Sequence, residues 1–254
     1  YHYYPGEMVL SVGAPNCNLK CPYCINNNIS MLPYSKVRSM PTLDVDDIFD
    51  IAKRKEIKFL AFTYTEPSIW VNTLTRLAEM AHTHDMKTIM VTNGLITPER
   101  IGVFTTMIDA FNVNIKTLDN NIYRDILGGP DGGAELVIEN IKKIVTSGKH
   151  IELTTTIVKT ITEDWKVLNE IGSLIYDIDP SIPWHITRYK HVVSRDLTKY
   201  EFPNYNSVNT LAYNKVRNIP MRLIRDALKI HKLHHVYVED DKSLVQLHTY
   251  STKI

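Results

Sequence analysis

The stretch EMVLSVGAPNCNLKCPYC, residues 7–24, holds every cysteine of a 254-residue chain. It reads in two halves. Residues 7–13 form a short apolar β-type run closed by Gly13, and residues 17–24 form a loop with Cys17, Cys21 and Cys24 in Cys-x3-Cys-x2-Cys spacing. Thiolates are soft ligands that cap iron–sulfur clusters, one per iron. Three of them suit three irons of a cubane and leave the fourth open to a small molecule. A zinc knuckle competes with this reading, although structural zinc takes four protein ligands and the loop contains no histidine. Buried thiols without a metal are the third reading. An odd cysteine count in a chain of this length favours no disulfide framework.

Outward from this loop, short β-type runs alternate with longer helical patterns. Residues 58–63, 87–92, 110–115, 151–158 and 184–189 are rich in β-branched or aromatic residues and are expected as strands. Between them, residues 44–54, 68–84, 97–106, 134–147 and 163–177 carry apolar residues near helical spacing. Thr97-Pro98-Glu99 has the form of a helix start, and Thr162 before Glu163 and Asp164 repeats its acidic half. Strand followed by helix, repeated, predicts a parallel sheet with right-handed crossovers. About six units in about 190 residues suit an incomplete barrel better than a closed eight-fold one. The expected fold class is therefore α/β, a partial (β/α)6 TIM-type barrel over residues 1–195. A C-terminal helical and strand extension, 196–254, is expected to pack on it.

The unusual polar residues fall at the C-terminal ends of the expected strands, where barrels of this kind carry their chemistry. After the first strand come the cysteines. After the second comes Tyr64-Thr65-Glu66-Pro67, and after the third Thr92-Asn93-Gly94. The fourth carries Asn112, Asn114 and Lys116; the fifth Thr154, Thr155 and Thr156; the sixth His185, Thr187, Arg188, Tyr189 and Lys190. Each has an ordinary reading as a strand end or turn. Their coincidence on one rim makes a site.

Composition bounds the rest. Lys and Arg total 29 against 28 Asp and Glu, a net charge of +1, which weighs against a large nucleic-acid partner. No long apolar run predicts a membrane span, and the first residues do not have the form of a signal peptide, so a cytoplasmic setting is expected.

The cysteine loop, with the aromatic Tyr23 just before its last cysteine, resembles the signature of the radical S-adenosylmethionine (SAM) enzymes. The phrases at 64–67, 91–94, 114–116, 154–158 and 184–188 resemble, in that order, the pyruvate formate-lyase activating branch, most closely the AmmeMemoRadiSam-type proteins. The resemblance spans about residues 7–195. It implies a [4Fe–4S] cluster on Cys17, Cys21 and Cys24, with SAM chelating the open iron. One electron from the cluster would cleave the C5′–S bond to methionine and a 5′-deoxyadenosyl radical, leaving the protein to bind, orient and shield. Glu66 is then the acceptor for the positively charged end of SAM. Thr92, Asn93 and Lys116 are candidates for its carboxylate, and Tyr23, Ile157 and Val158 for the adenine. His185, Lys190 and His191 would face ribose, carboxylate or substrate. Tyr64 or Tyr189 would serve as hydrogen-atom donor, since no cysteine remains for that role. A flavodoxin- or ferredoxin-type donor and a substrate, protein or small molecule, complete the expected partners.

The sequence departs from the branch at Val91 and Asn114, where acids that help hold a monovalent cation are usual, and at Lys159-Thr160, which replaces a Pro-Gly turn. Lys116 or Lys190 would then supply the missing positive charge. Beyond about residue 194 the resemblance fades. Residues 206–218 and 220–231 are expected helices, 236–238 a short final strand, and the tail an edge-covering or partner segment. His231, His234 and His235 are read as a basic helix end or surface patch before a metal site. Three functions remain: a radical enzyme activating a glycyl-radical protein, the same chemistry on a small molecule, peptide or nucleotide, and a cluster-bearing sensor without turnover.

Overall fold

The computed structural model describes residues 2–158, 161–188, 232–240 and 243–249. Strand order in the sheet is chain order, β1 to β8. The chain divides into two units, the first made of residues 1–18, 26–113 and 136–151 and the second of 19–25, 114–135 and 152–254.

In the first unit, β1 (Leu10–Val12), β2 (Phe59–Phe62), β3 (Lys87–Thr92) and β4 (Ala110–Asn114) pair in parallel, with Leu10 beside Leu60, Leu60 beside Thr88 and Thr92 beside Val113. All four residues of β2 are buried, as a parallel strand covered on both faces requires. Two short helices, α1 (Asn27–Ser30) and α2 (Tyr34–Arg38), follow the cysteine loop and lie where no helix was expected; at four and five residues they are too short to show a periodicity. Helix α3 (Val45–Arg54) begins at Asp44, whose carboxylate accepts the Asp46 N–H, and places Asp46 and Asp47 in its first turn and Lys53 and Arg54 in its last. That order of charges matches the helix dipole. Helix α4 (Val71–Thr83) buries Leu74, Leu77, Ala78 and Ala81, one face at helical spacing. Helix α5 (Pro98–Met107) starts with proline at its first turn, and most of α6 (Gly133–Thr146) also belongs here, burying Val137, Asn140, Ile141 and Ile144. A fully buried leucine such as Leu74 contributes about 1.5–3 kcal/mol through burial alone.

In the second unit, β5 (His150–Ile157), β6 (Trp184–Arg188) and β7 (His235–Asp240) are parallel, with Thr154 beside His185 and His185 beside Tyr237. The N–H of Ile115, just past β4, donates to the Thr154 carbonyl of β5. Helix α7 (Trp165–Ile178) is capped by Asp164, which accepts the Lys166 N–H. Thr162 does not join that start. Its buried hydroxyl donates to the Thr156 carbonyl and accepts the Val158 N–H, tying off the end of β5. Beyond the expected six units stands β7, wider than the expected 236–238. Strand β8 (Ser243–Thr249) then pairs antiparallel with β7 and covers its edge, as expected of the tail. The α/β, partial TIM-type reading holds. The expected helices over 206–231, and with them His231, lie outside the described residues. No helix among the described residues is long and apolar enough to cross a membrane.

Candidate active site

Four of the expected site residues come together in the first unit. Glu66 stands between β2 and a 3₁₀ turn, Pro67–Ile69, and is 1% exposed. One carboxylate oxygen accepts the Ser68 N–H at 3.0 Å and the Thr92 hydroxyl at 2.7 Å; the other accepts the Asn93 N–H at 2.7 Å. Burial pushes the Glu66 carboxyl up, and these donors pull against it without cancelling it. The Asn93 side chain donates to Asn18 Oδ1 at 2.7 Å and to Cys17 Sγ at 3.9 Å, and accepts the Leu95 N–H. Asn18 in turn donates to the Leu95 carbonyl. One hydrogen-bonded chain thus runs from Glu66 through Asn93 to Cys17.

Gly94 makes the turn after Asn93 feasible. Its φ is +79°, and a Cβ there would lie 2.9 Å from Val113 and 3.1 Å from Val137. Asn140 of α6 donates to the carbonyls of Gly94 and Ile96, holding the turn from behind. Asn140 was not expected as part of the site; a polar residue on the apolar face of a helix was the available signal.

In the second unit, Cys21 and Tyr23 are buried and Cys24 is half-buried. Burial pushes the Cys21 thiol up; the Lys116 ammonium opposes this, and Cys24 reinforces it. Lys116 follows β4 with its side chain half-buried, on the same alternating positions as Asn114. Asn114 Oδ1 and the Tyr123 hydroxyl are buried with no hydrogen-bond partner among the described residues. Such atoms cost stability unless a ligand satisfies them.

Other expected residues stand elsewhere. His185 is buried on β6, with Nε2 2.5 Å from Glu152 of β5, and its ring stacks on Tyr237 of β7 at 5.1 Å between centroids. Glu152 and Tyr237 were not foreseen; a carboxylate in the apolar run of β5 was the visible sign. Thr156 and Thr187 hydroxyls meet at 3.2 Å, further along the same strands. Ile157 is buried, and Val158 uses its N–H on Thr162 and its carbonyl on the N–H groups of residues 161–163. Tyr64 is 50% exposed with φ of +72°, its carbonyl accepting from Asn26. Tyr189, Lys190, His191 and Lys159-Thr160 lie outside the described residues.

A family model for the radical SAM superfamily matches residues 11–171, and the chain belongs to that superfamily. Its relatives include an uncharacterized protein of Methanocaldococcus jannaschii, 26% identical over 190 residues that make up 74% of this chain and 55% of the relative. A 7-carboxy-7-deazaguanine synthase of the same organism is 26% identical over 199 residues, 71% of this chain and 78% of that protein. Among solved structures, Streptococcus suis SuiB bound to SAM superposes with a TM-score of 0.62 at 16% identity, covering 92% of this chain and 51% of SuiB. The chain thus spans about half the length of the first relative and of SuiB.

Superfamily membership makes the chain an enzyme with a [4Fe–4S] cluster and SAM as cofactors, needing an electron donor and a substrate. The residues present fit these groups in kind: three cysteines in no disulfide, an amide donor on Cys17, an unsatisfied acceptor at Asn114 and a cation at Lys116. Among the described residues no three His, Cys, Asp or Glu side chains gather as a ready-made metal site. The case for the cysteines as ligands therefore rests on thiolate chemistry and spacing. Metal binding commonly completes such loops, because the ligands must first lose their protons.

Proposed function

We propose that Cys17, Cys21 and Cys24, within one eight-residue loop, ligate three irons of the cluster and leave the fourth to SAM. The spacing of the three thiols carries this reading, and a hydrogen-bonded chain running from Glu66 through Asn93 to Cys17 supports it. It links the first thiol to the end of β3. When bound, the reduced cluster supplies the electron that cleaves SAM to methionine and a 5′-deoxyadenosyl radical.

The chain's own residues bind and orient. Glu66, with three donors on its two oxygens, fixes Thr92 and Asn93. The side chains of Thr92, Asn93 and Lys116 serve the methionyl carboxylate, and Asn114 Oδ1 accepts from the ammonium group. Tyr23, Ile157 and Val158 form the apolar side toward adenine. Val158 contributes its side chain, since its backbone groups are committed to the turn. Lys190 and a tyrosine donor, Tyr64 or Tyr189, complete the assignment. Within the superfamily, the phrases at 64–67 and 114–116 favour the pyruvate formate-lyase activating branch and its AmmeMemoRadiSam-type members. A flavodoxin- or ferredoxin-type donor, a cytoplasmic setting and a division between a catalytic part, 1–195, and an extension, 196–254, belong to the same reading.

The substrate that the bound cofactors would act on is a small polar molecule, held by Glu152 and His185 with the threonines beyond them. A buried carboxylate–imidazole pair on strands β5 and β6 is what supports this choice, and the similarity to a 7-carboxy-7-deazaguanine synthase points the same way. The same chemistry also serves a glycyl-radical activase, for which a chain with no cysteine beyond the trio is suited.

The test is anaerobic incubation of the reconstituted, reduced protein with SAM and with the protein and small-molecule products of neighbouring genes. Formation of 5′-deoxyadenosine with a mass-shifted small molecule supports the reading. A glycyl doublet by EPR on a partner protein selects the activase instead. No 5′-deoxyadenosine with any reductant leaves a sensor.

A further inference from the structure

The second unit contains a buried phenol whose hydroxyl the protein leaves unsatisfied. Tyr123 lies in a π-helical turn, Ile122–Ile126, closed by the Leu127 N–H donating to the Ile122 carbonyl. Such turns recur at functional sites because the extra residue redirects a side chain without breaking the helix. The Tyr123 ring is fully buried and tightly seated: a Cβ on Gly133 would lie 2.9 Å from it, and one on Gly129 3.5 Å. Position and orientation of the phenol are therefore fixed by packing.

The same segment carries the middle of the cysteine loop. The Lys20 N–H donates to the Leu127 carbonyl at 2.7 Å. Leu19, also fully buried, packs where a Cβ on Gly129 would come within 3.0 Å, and Lys20 packs on Gly128. Leu19 and Lys20, just before Cys21, thus rest on residues 127–129. The Lys116 backbone N–H approaches the Tyr123 oxygen as a donor and the Cys21 thiol lies within electrostatic reach, yet the phenol's own proton finds no acceptor among the described residues. A buried donor without an acceptor is costly. Beside a cluster ligand, the acceptor to be expected is a sulfur that arrives with the cluster.

We infer that Tyr123 donates a hydrogen bond to the Cys21 thiolate or an adjoining cluster sulfide, and so raises the reduction potential of the cluster. The inference rests on the assignment of Cys21 as a ligand. A hydrogen bond to sulfur spreads the charge added on one-electron reduction and favours the reduced form. None of the phrases resembling a known family includes this residue.

The test compares reconstituted wild type, Tyr123→Phe and a protein with 3-fluorotyrosine placed at position 123, titrated with a one-electron reductant and followed by EPR and absorbance. Tyr123→Phe keeps the ring and removes the donor, so its potential is expected to fall, with iron content unchanged. Fluorotyrosine keeps the hydroxyl and strengthens it as a donor, so its potential is expected to rise. The apo form of Tyr123→Phe is expected to melt close to wild type, since the phenol proton has no acceptor within the described protein to lose. Equal potentials in the three proteins would overturn the inference. If Tyr123→Phe fails to retain iron, the fluorotyrosine protein alone decides, and an unshifted potential there overturns it. A wild type that binds no cluster would instead refute the assignment of Cys21.

Discussion

Glu66 accepts the backbone N–H of Asn93 at 2.7 Å, through a carboxylate oxygen wholly inside the protein. The expected acceptor for the charged end of SAM thus already takes three of the chain's own donors and holds the turn at Asn93. Replacing Glu66 by Gln puts an NH2 group against at least one donor, Asn93 N–H or the Ser68 and Thr92 pair. Glu66→Gln is expected to destabilise the apo protein by about 1–3 kcal/mol, the cost of an unsatisfied buried group. Urea unfolding measures this, and 5′-deoxyadenosine formation should fall in the same variant.

Gly94 offers a local test of the same turn. With φ of +79° and Val113 2.9 Å from any added Cβ, Gly94→Ala is expected to cost about 1–3 kcal/mol. Gly102, inside α5 with open space around it, is the control: Gly102→Ala should stabilise by about 0.5–1 kcal/mol. Thermal melts of the two variants should move in opposite directions.

These two cases show what was legible in sequence. Strands β2 to β6 and helices α3 and α5 to α7 were expected within a residue or two, and α4 within three, because long periodic runs carry their own signal. Glu66, Thr92 and Asn93 were expected at one rim, and they do meet. The roles inside that group were not legible, because whether a carboxylate faces a ligand or three internal donors depends on contacts distant in sequence. Glu152 and His185, 33 residues apart, are paired for the same reason. The π-helical turn at Tyr123 has no periodicity of its own to reveal it.

Asp109 contributes to acid stability in the first unit. Burial raises its pKa, but the Thr88 N–H, His82, the Thr88 hydroxyl and the Lys87 ammonium outweigh burial and hold it below the usual carboxylate range. A depressed folded-state pKa gives stability that is present above the unfolded value, about 4, and lost as pH falls through the folded one. Wild type should therefore lose stability below about pH 4 more steeply than Asp109→Asn does. Parallel loss in the two proteins, measured by urea unfolding from pH 6 to pH 3, would count against this account.

The Glu152–His185 pair calls for a double-mutant cycle. Removing one partner takes away the other's closest polar contact inside the protein, so Glu152→Ala is expected to cost about 3–5 kcal/mol. Replacing both by leucine should recover most of that loss. If each single change costs the same in the presence and absence of the other, the two groups are not coupled.

The central claim is that Cys17, Cys21 and Cys24 hold an iron–sulfur cluster with one iron open to SAM. The most direct measurement is EPR of the anaerobically reconstituted, reduced protein before and after addition of SAM, with Cys17→Ala, Cys21→Ala and Cys24→Ala alongside. The account predicts a [4Fe–4S] signal in wild type that changes on SAM addition, with its loss in each variant together with the iron and 5′-deoxyadenosine formation. A variant that keeps full iron content, or a wild-type signal indifferent to SAM, would contradict it.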